Sequence, residues 1–136
     1  MLLSTRRLKS AVYDAGALLA AERGDRDFLA IHVTLLRQGR SVVVPSPVLT
    51  QVWHSGRRAT LSRVLNACIV QPASEDAAKS AGDILRRARC SDAVGAIVVA
   101  TAIEHDALVV TSDPDDIGIL WGASGDPSKL PSILAV

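Results

Sequence analysis

Three carboxylates fall within four positions at Ser112-Asp113-Pro114-Asp115-Asp116, directly after the apolar run Ala107-Leu108-Val109-Val110. That pattern reads as a buried strand releasing acidic side chains at its C-terminal end. The chain opens in a matching way: Ala11-Val12-Tyr13 runs into Asp14, which is followed by the helix-like Ala15 to Ala21. In open α/β sheets, ligands gather outside the carboxyl ends of the strands, where a reversal of strand order brings separate ends together. Two acidic strand ends, one near each terminus, therefore point to one shared site for a hard divalent cation. Mg²⁺ or Mn²⁺ held by Asp or Glu oxygens could activate a water and neutralise charge on a phosphodiester. Crowded like charges also repel until a cation joins them.

Such a site needs elements to hold it, and the sequence alternates accordingly. Lys9 to Tyr13 is the first expected strand, followed by helices over Ala15–Glu22 and Arg26–Gln38, the second stopped by Gly39. Ser41 to Val44 is a continuous apolar strand of the kind buried on both faces. Pro45-Ser46-Pro47 starts a helix, with Ser46 expected as its N-cap. A helical piece over Thr60–Asn66, a strand over Ala67–Val70 and a helix from Ser74 to about Ala88 come next. Ser91 is expected to cap a helix running through Glu104. The strand Leu108–Val110, a helical segment over Asp113–Leu120 and a short strand within Pro131–Val136 complete the chain. Alternating βαβ units imply an α/β domain with a central, mostly parallel sheet of four to five strands flanked by helices. Residues 1–136 are read as a single domain.

Composition narrows the function classes. Apolar residues make up 49% of the chain and aromatic ones only 3%, so Leu, Val, Ile and Ala must build the core. A formal charge of +1 leaves any basic surface local. The mean hydropathy of +0.27 implies an apolar patch covered in a dimer or a partner complex. Cys68 and Cys90 lack neighbouring ligands at metal spacing and read as free thiols. No apolar stretch of a signal peptide follows the N-terminal Met-Leu-Leu-Ser-Thr-Arg-Arg-Leu-Lys, and Ala93–Ile103 is too short to span a bilayer. A cytoplasmic protein with no membrane association is expected. Neither glycine-rich nucleotide motif occurs. A phosphoreceiver reading fails because Val70-Gln71-Pro72 ends the third strand without an acid.

Four segments, in order, resemble the PIN domain, and within it the VapC-type toxins of bacterial toxin–antitoxin pairs. They are Val12 to Ala20, Val43 to Trp53, Ser91 to Ala102 and Val109 to Asp116. The resemblance implies a Mg²⁺- or Mn²⁺-dependent endoribonuclease acting on RNA, a small antitoxin partner and a homodimer. Carried over by position, Asp14 matches the family's first acid, and Asp113 and Asp116 match the acidic end of the fourth strand. The second acid, normally a Glu, is Gln51 here; the third, normally an Asp, is Gly95. Asp92 lies one turn before Gly95, on the same helix face, starting roughly 5 Å from the usual position. Ala15 stands where the family usually has Thr or Ser. Gln51 can offer a neutral carbonyl oxygen but no charge, and Gly95 offers nothing. Asp14, Asp92, Asp113 and Asp116 are thus the expected catalytic and metal-binding set, with Gln51 and Gly95 as degenerate positions.

Each acid also has a plainer role. Asp92 can extend the Ser91 cap, and Asp113 can cap the last helix with Pro114 at its first position. Asp14 is harder to explain that way, because a carboxylate between an apolar strand and an apolar helix needs a partner. Basic clusters occur at Arg6-Arg7-Lys9, at Arg57-Arg58 with Arg63, and at Arg86-Arg87-Arg89. Arg57 and Arg58, which follow the helix carrying Gln51, are the expected RNA contacts. His32, His54 and His105 are not spaced as a metal set.

Overall fold

In a computed structural model, residues 9–54, 59–125 and 131–136 are described. Short, mostly apolar segments form the strands β1 (Ala11–Tyr13), β2 (Val42–Pro45), β3 (Ile69–Gln71), β4 (Leu108–Thr111) and β5 (Ile133–Ala135). They pair in the order β3-β2-β1-β4-β5, and every pairing is parallel. The expected sheet is therefore present, with five strands. Its order reverses at β1, whose later-sequence neighbours β2 and β4 lie on opposite sides. The crevice between β1 and β4 is the switch point, and both strands end there in acidic residues.

The connecting helices are α1 (Ala15–Glu22), α2 (Arg26–Arg37), α3 (Ser46–Val52), α4 (Ala59–Asn66), α5 (Glu75–Ala88), α6 (Ala93–Glu104) and α7 (Pro114–Gly122). Two of them, α1 and α6, are apolar nearly all round, which marks buried helices rather than surface ones. Seven of the twelve residues of α6 are buried, and it packs on α5 and across β1, β2 and β4. Helix α1 packs against β1, β4, α3 and α4. By contrast, α2 buries one face only, through Phe28, His32 and Leu35 at helical spacing. That face fixes the end of β1: the Tyr13 hydroxyl and His32 Nδ1 share a hydrogen bond of 2.7 Å, and Phe28 stacks on the His32 ring. The residue immediately before Asp14 is thereby anchored in the core.

Two expected caps are corrected. Pro45, not Ser46, holds the N-cap position of α3, because Pro45 still pairs with Gln71 as the last residue of β2 and the helix begins at once. Helix α6 is capped by Asp92, not Ser91. The cysteines are free, as expected; Cys68 donates its thiol to the Val64 carbonyl at 3.2 Å, and burial pushes that thiol up to about 12. No helix among the described residues is long and apolar enough to cross a membrane.

Candidate functional site

Asp14 leaves β1 in extended conformation and opens α1 as its N-cap. One carboxylate oxygen, Oδ1, accepts the Ala17 backbone N–H at 2.9 Å. The other, Oδ2, accepts the hydroxyl of Thr111, the last residue of β4. Thr111 Oγ1 in turn accepts the Asp113 backbone N–H at 2.9 Å. One buried hydroxyl therefore bridges the two acidic strand ends. The parallel register makes this possible: Tyr13 stands opposite Val110, so the next residues along each strand, Asp14 and Thr111, meet.

Asp14 is only 9% exposed. Burial raises its pKa from the ordinary carboxylate value, and the Asp113 charge adds to the rise, while the Thr111 and backbone hydrogen bonds oppose it. Satisfying both oxygens accounts for much of what the plainer reading of Asp14 lacked. A carboxylate has about four lone-pair sites, more than the bonds from Ala17, Gly16 and Thr111 use, so Asp14 retains acceptor capacity.

Asp113 occupies the N-cap position of α7 but makes no capping bond with its side chain. Its carboxyl instead pairs with Asp116, one turn on. The hydrogen bond with Asp113 raises the Asp116 pKa most, followed by the Asp113 charge, with smaller contributions from Asp92 and Asp115. Asp92 accepts the Gly95 N–H on Oδ1 at 2.9 Å. Its carboxylate thus caps α6 and still faces the acidic group.

The sequence-predicted residues come together. Asp14, Gln51, Asp92, Gly95, Asp113 and Asp116 all line one cavity of about 190 Å³ outside the carboxyl ends of β1 and β4. Asp115 does not line it. Arg57 and Arg58 lie outside the described residues; Arg63 is exposed in the last turn of α4. Three further residues shape the site without a signal of their own in the sequence: Thr111, Gly16 and Ser112. Gly16 lies against Ser112 so closely that a Cβ there would overlap Ser112 Oγ and stand 3.3 Å from its backbone nitrogen. Only the strand register, which the sequence does not print, could have indicated Thr111.

The donor chemistry suits a hard cation. Every polar side chain lining the cavity offers oxygen, and the carboxylates repel one another without a counter-charge. Among the described residues, no three His, Cys, Asp or Glu side chains form a ready-made cage.

A five-stranded parallel sheet with a carboxylate-lined crevice at its switch point defines an α/β protein. The PIN domain family profile matches residues 11–117, and the chain belongs to that family. Two solved structures are similar in fold. One is described as "Toxin-antitoxin complex from Klebsiella pneumoniae", with TM-score 0.66 and 18% identity over 93% of this chain and 97% of that one. The other is "Crystal structure of VapBC2 from Rickettsia felis bound to a DNA fragment from their promoter", with TM-score 0.67 and 14% identity over 91% and 98%. No curated protein matches the chain.

Proposed function

We propose that this PIN-domain protein is a VapC-like toxin: an endoribonuclease that cleaves RNA phosphodiesters with Mg²⁺ or Mn²⁺ and is held in check by a small antitoxin. The observation that carries the reading is the convergence of Asp14, Asp92, Asp113 and Asp116 on one cavity at the switch point. Likeness of fold to chains of toxin–antitoxin complexes supports the partner.

When bound, a divalent cation held by Asp14, Asp92, Asp113 and Asp116 would supply an activated water and neutralise charge on the scissile phosphate. The protein supplies position. Asp14 is fixed on both oxygens, so little conformational freedom is lost when it meets a cation. Asp113 is tied to the same hydroxyl through its backbone and presents its carboxyl beside Asp116. Asp113 raises the pKa of Asp116, a like-charge strain that a bound cation would relieve. Gln51, exposed on α3 at the cavity wall, offers a neutral oxygen to a water. Arg57 and Arg58 would neutralise phosphates on the bound RNA. Exposed Val33, Leu36 and Ile119 are apolar surface that a homodimer or an antitoxin would cover.

A second reading is a catalytically degraded PIN scaffold that binds RNA or a protein without cleaving. Gln51 and Gly95 favour it, since each removes a carboxylate from the set. Incubation of the purified chain with single-stranded RNA and Mg²⁺ separates the two. Cleavage that stops on adding chelator supports the nuclease. Saturable binding without cleavage supports the scaffold.

A further inference from the structure

We infer that Gly95 is the positioning residue for Asp92: the missing side chain at 95 is the space into which the Asp92 carboxylate folds, so that residue 92 delivers the carboxylate on this wall of the cavity. The inference rests on the metal-site reading above and concerns how one of its groups is supplied.

The geometry is specific. Asp92 Oδ1 accepts the Gly95 N–H at 2.9 Å, which pulls the carboxyl back over the first turn of α6. A Cβ on residue 95 would overlap Asp92 Oδ2, stand 2.8 Å from Asp92 Cγ and meet Leu120 Cδ1 at 3.0 Å. The last two contacts matter most. The overlapping oxygen could rotate away, but Cγ moves only if the whole carboxyl leaves, and Leu120 is itself buried at 2% exposure. Asp14 provides the internal control. It caps Ala17 through the same three-residue spacing at the same 2.9 Å, with an ordinary Cβ in place. Capping alone therefore does not demand glycine; the particular placement of the Asp92 carboxyl does. Gly95 is buried and its φ is not in the left-handed region, so backbone conformation does not demand glycine either. What glycine gives at this position is room. Asp92 and any side chain at 95 are mutually exclusive occupants, and putting Asp at 95 would not add a carboxylate to the parent but evict one.

Calorimetric titration of the full chain with Mn²⁺ tests this. Asp92→Asn keeps the cap and removes the charge, and should weaken binding about tenfold or more. Gly95→Ala should weaken it by a similar factor, although no charge is lost. The double variant Asp92→Ala with Gly95→Asp relocates the carboxylate and should return affinity to within a few-fold of the parent, a rescue that a merely structural cap would not give. Thermal unfolding checks that each variant folds. Parent-like binding by Gly95→Ala overturns the inference, as does a double variant no better than Asp92→Asn. A parent that binds no Mn²⁺ overturns the metal-site reading instead. Crystal structures of the parent and Gly95→Ala then decide the positioning claim without metal, an unmoved Asp92 carboxyl overturning it.

Discussion

Replacing Asp14 by Asn should make the apo protein more stable and the metal-loaded protein less stable than the parent, so that the two melting curves exchange order. The reasoning starts from burial. Asp14 is 9% exposed, and desolvation is the largest influence on its carboxyl, with the Asp113 charge acting in the same direction. Asn keeps an oxygen for the Ala17 N–H and an amide that can donate to Thr111 Oγ1, whose own hydroxyl hydrogen must then turn to another acceptor, while the buried charge is removed. The net gain should be about 0.5–1 kcal/mol, in the range of other substitutions that relieve strain at functional sites. For a chain of this size that is a rise of about 2–5 °C. Metal reverses the order. At a free Mg²⁺ concentration ten times its Kd, the parent gains about 1.4 kcal/mol by linkage, and a variant that does not bind gains nothing. Scanning calorimetry at neutral pH across a Mg²⁺ series would reveal the crossing. An Asn variant that melts below the parent without metal would refute the claim that Asp14 is held at a cost to stability. Parallel shifts of both proteins with Mg²⁺ would refute Asp14 as a metal group.

Other perturbations test the supports of the site. Thr111→Val leaves Asp14 Oδ2 and the Asp113 N–H without their shared partner, and should cost about 1.5–3 kcal/mol in urea unfolding, with weaker Mn²⁺ binding. Unchanged stability and affinity would remove Thr111 as the bridge. Gly16→Ala drives a methyl group into Ser112 and should cost roughly 1–3 kcal/mol, because the Ser112 backbone as well as its hydroxyl is in the way. A parent-like melt would show that this loop yields freely. Burial lowers the His32 pKa from 6.5, so the unfolded chain takes up the proton first, and the stability His32 lends above pH 6.5 is lost as pH falls below it. The melting temperature should drop between pH 7.5 and pH 5.5, and His32→Gln should shrink that drop. A rise in melting temperature over the same interval would contradict this sign.

Much of the fold could be read from residue order because the physics was local. Val42 to Val44 and Leu108 to Val110 are apolar without alternation, as strands buried on both faces must be, and the two helices apolar all round are the buried ones. The PIN resemblance was borne out for the same reason: its segments are the strand ends and helix starts at the switch point. Details requiring two distant segments at once could not be read. Thr111 matters only because the register sets it against Asp14, and nothing in Leu108-Val109-Val110-Thr111 announces that. Gly95 read as an emptied position, since its value lies in what Asp92 does with the space. Residue preference favours Ser46 and Ser91 as caps, but strand pairing at Pro45 and the reach of Asp92 decide both ends.

Cleavage of single-stranded RNA by the purified chain, with and without Mg²⁺ and with Asp14→Asn alongside, tests the central claim most directly. The account predicts cleavage by the parent that requires the metal, and none above background by the folded Asn variant. Equal cleavage by the variant, or cleavage that persists in chelator, would contradict it. So would a parent that binds Mg²⁺ at Asp14 and still leaves RNA intact.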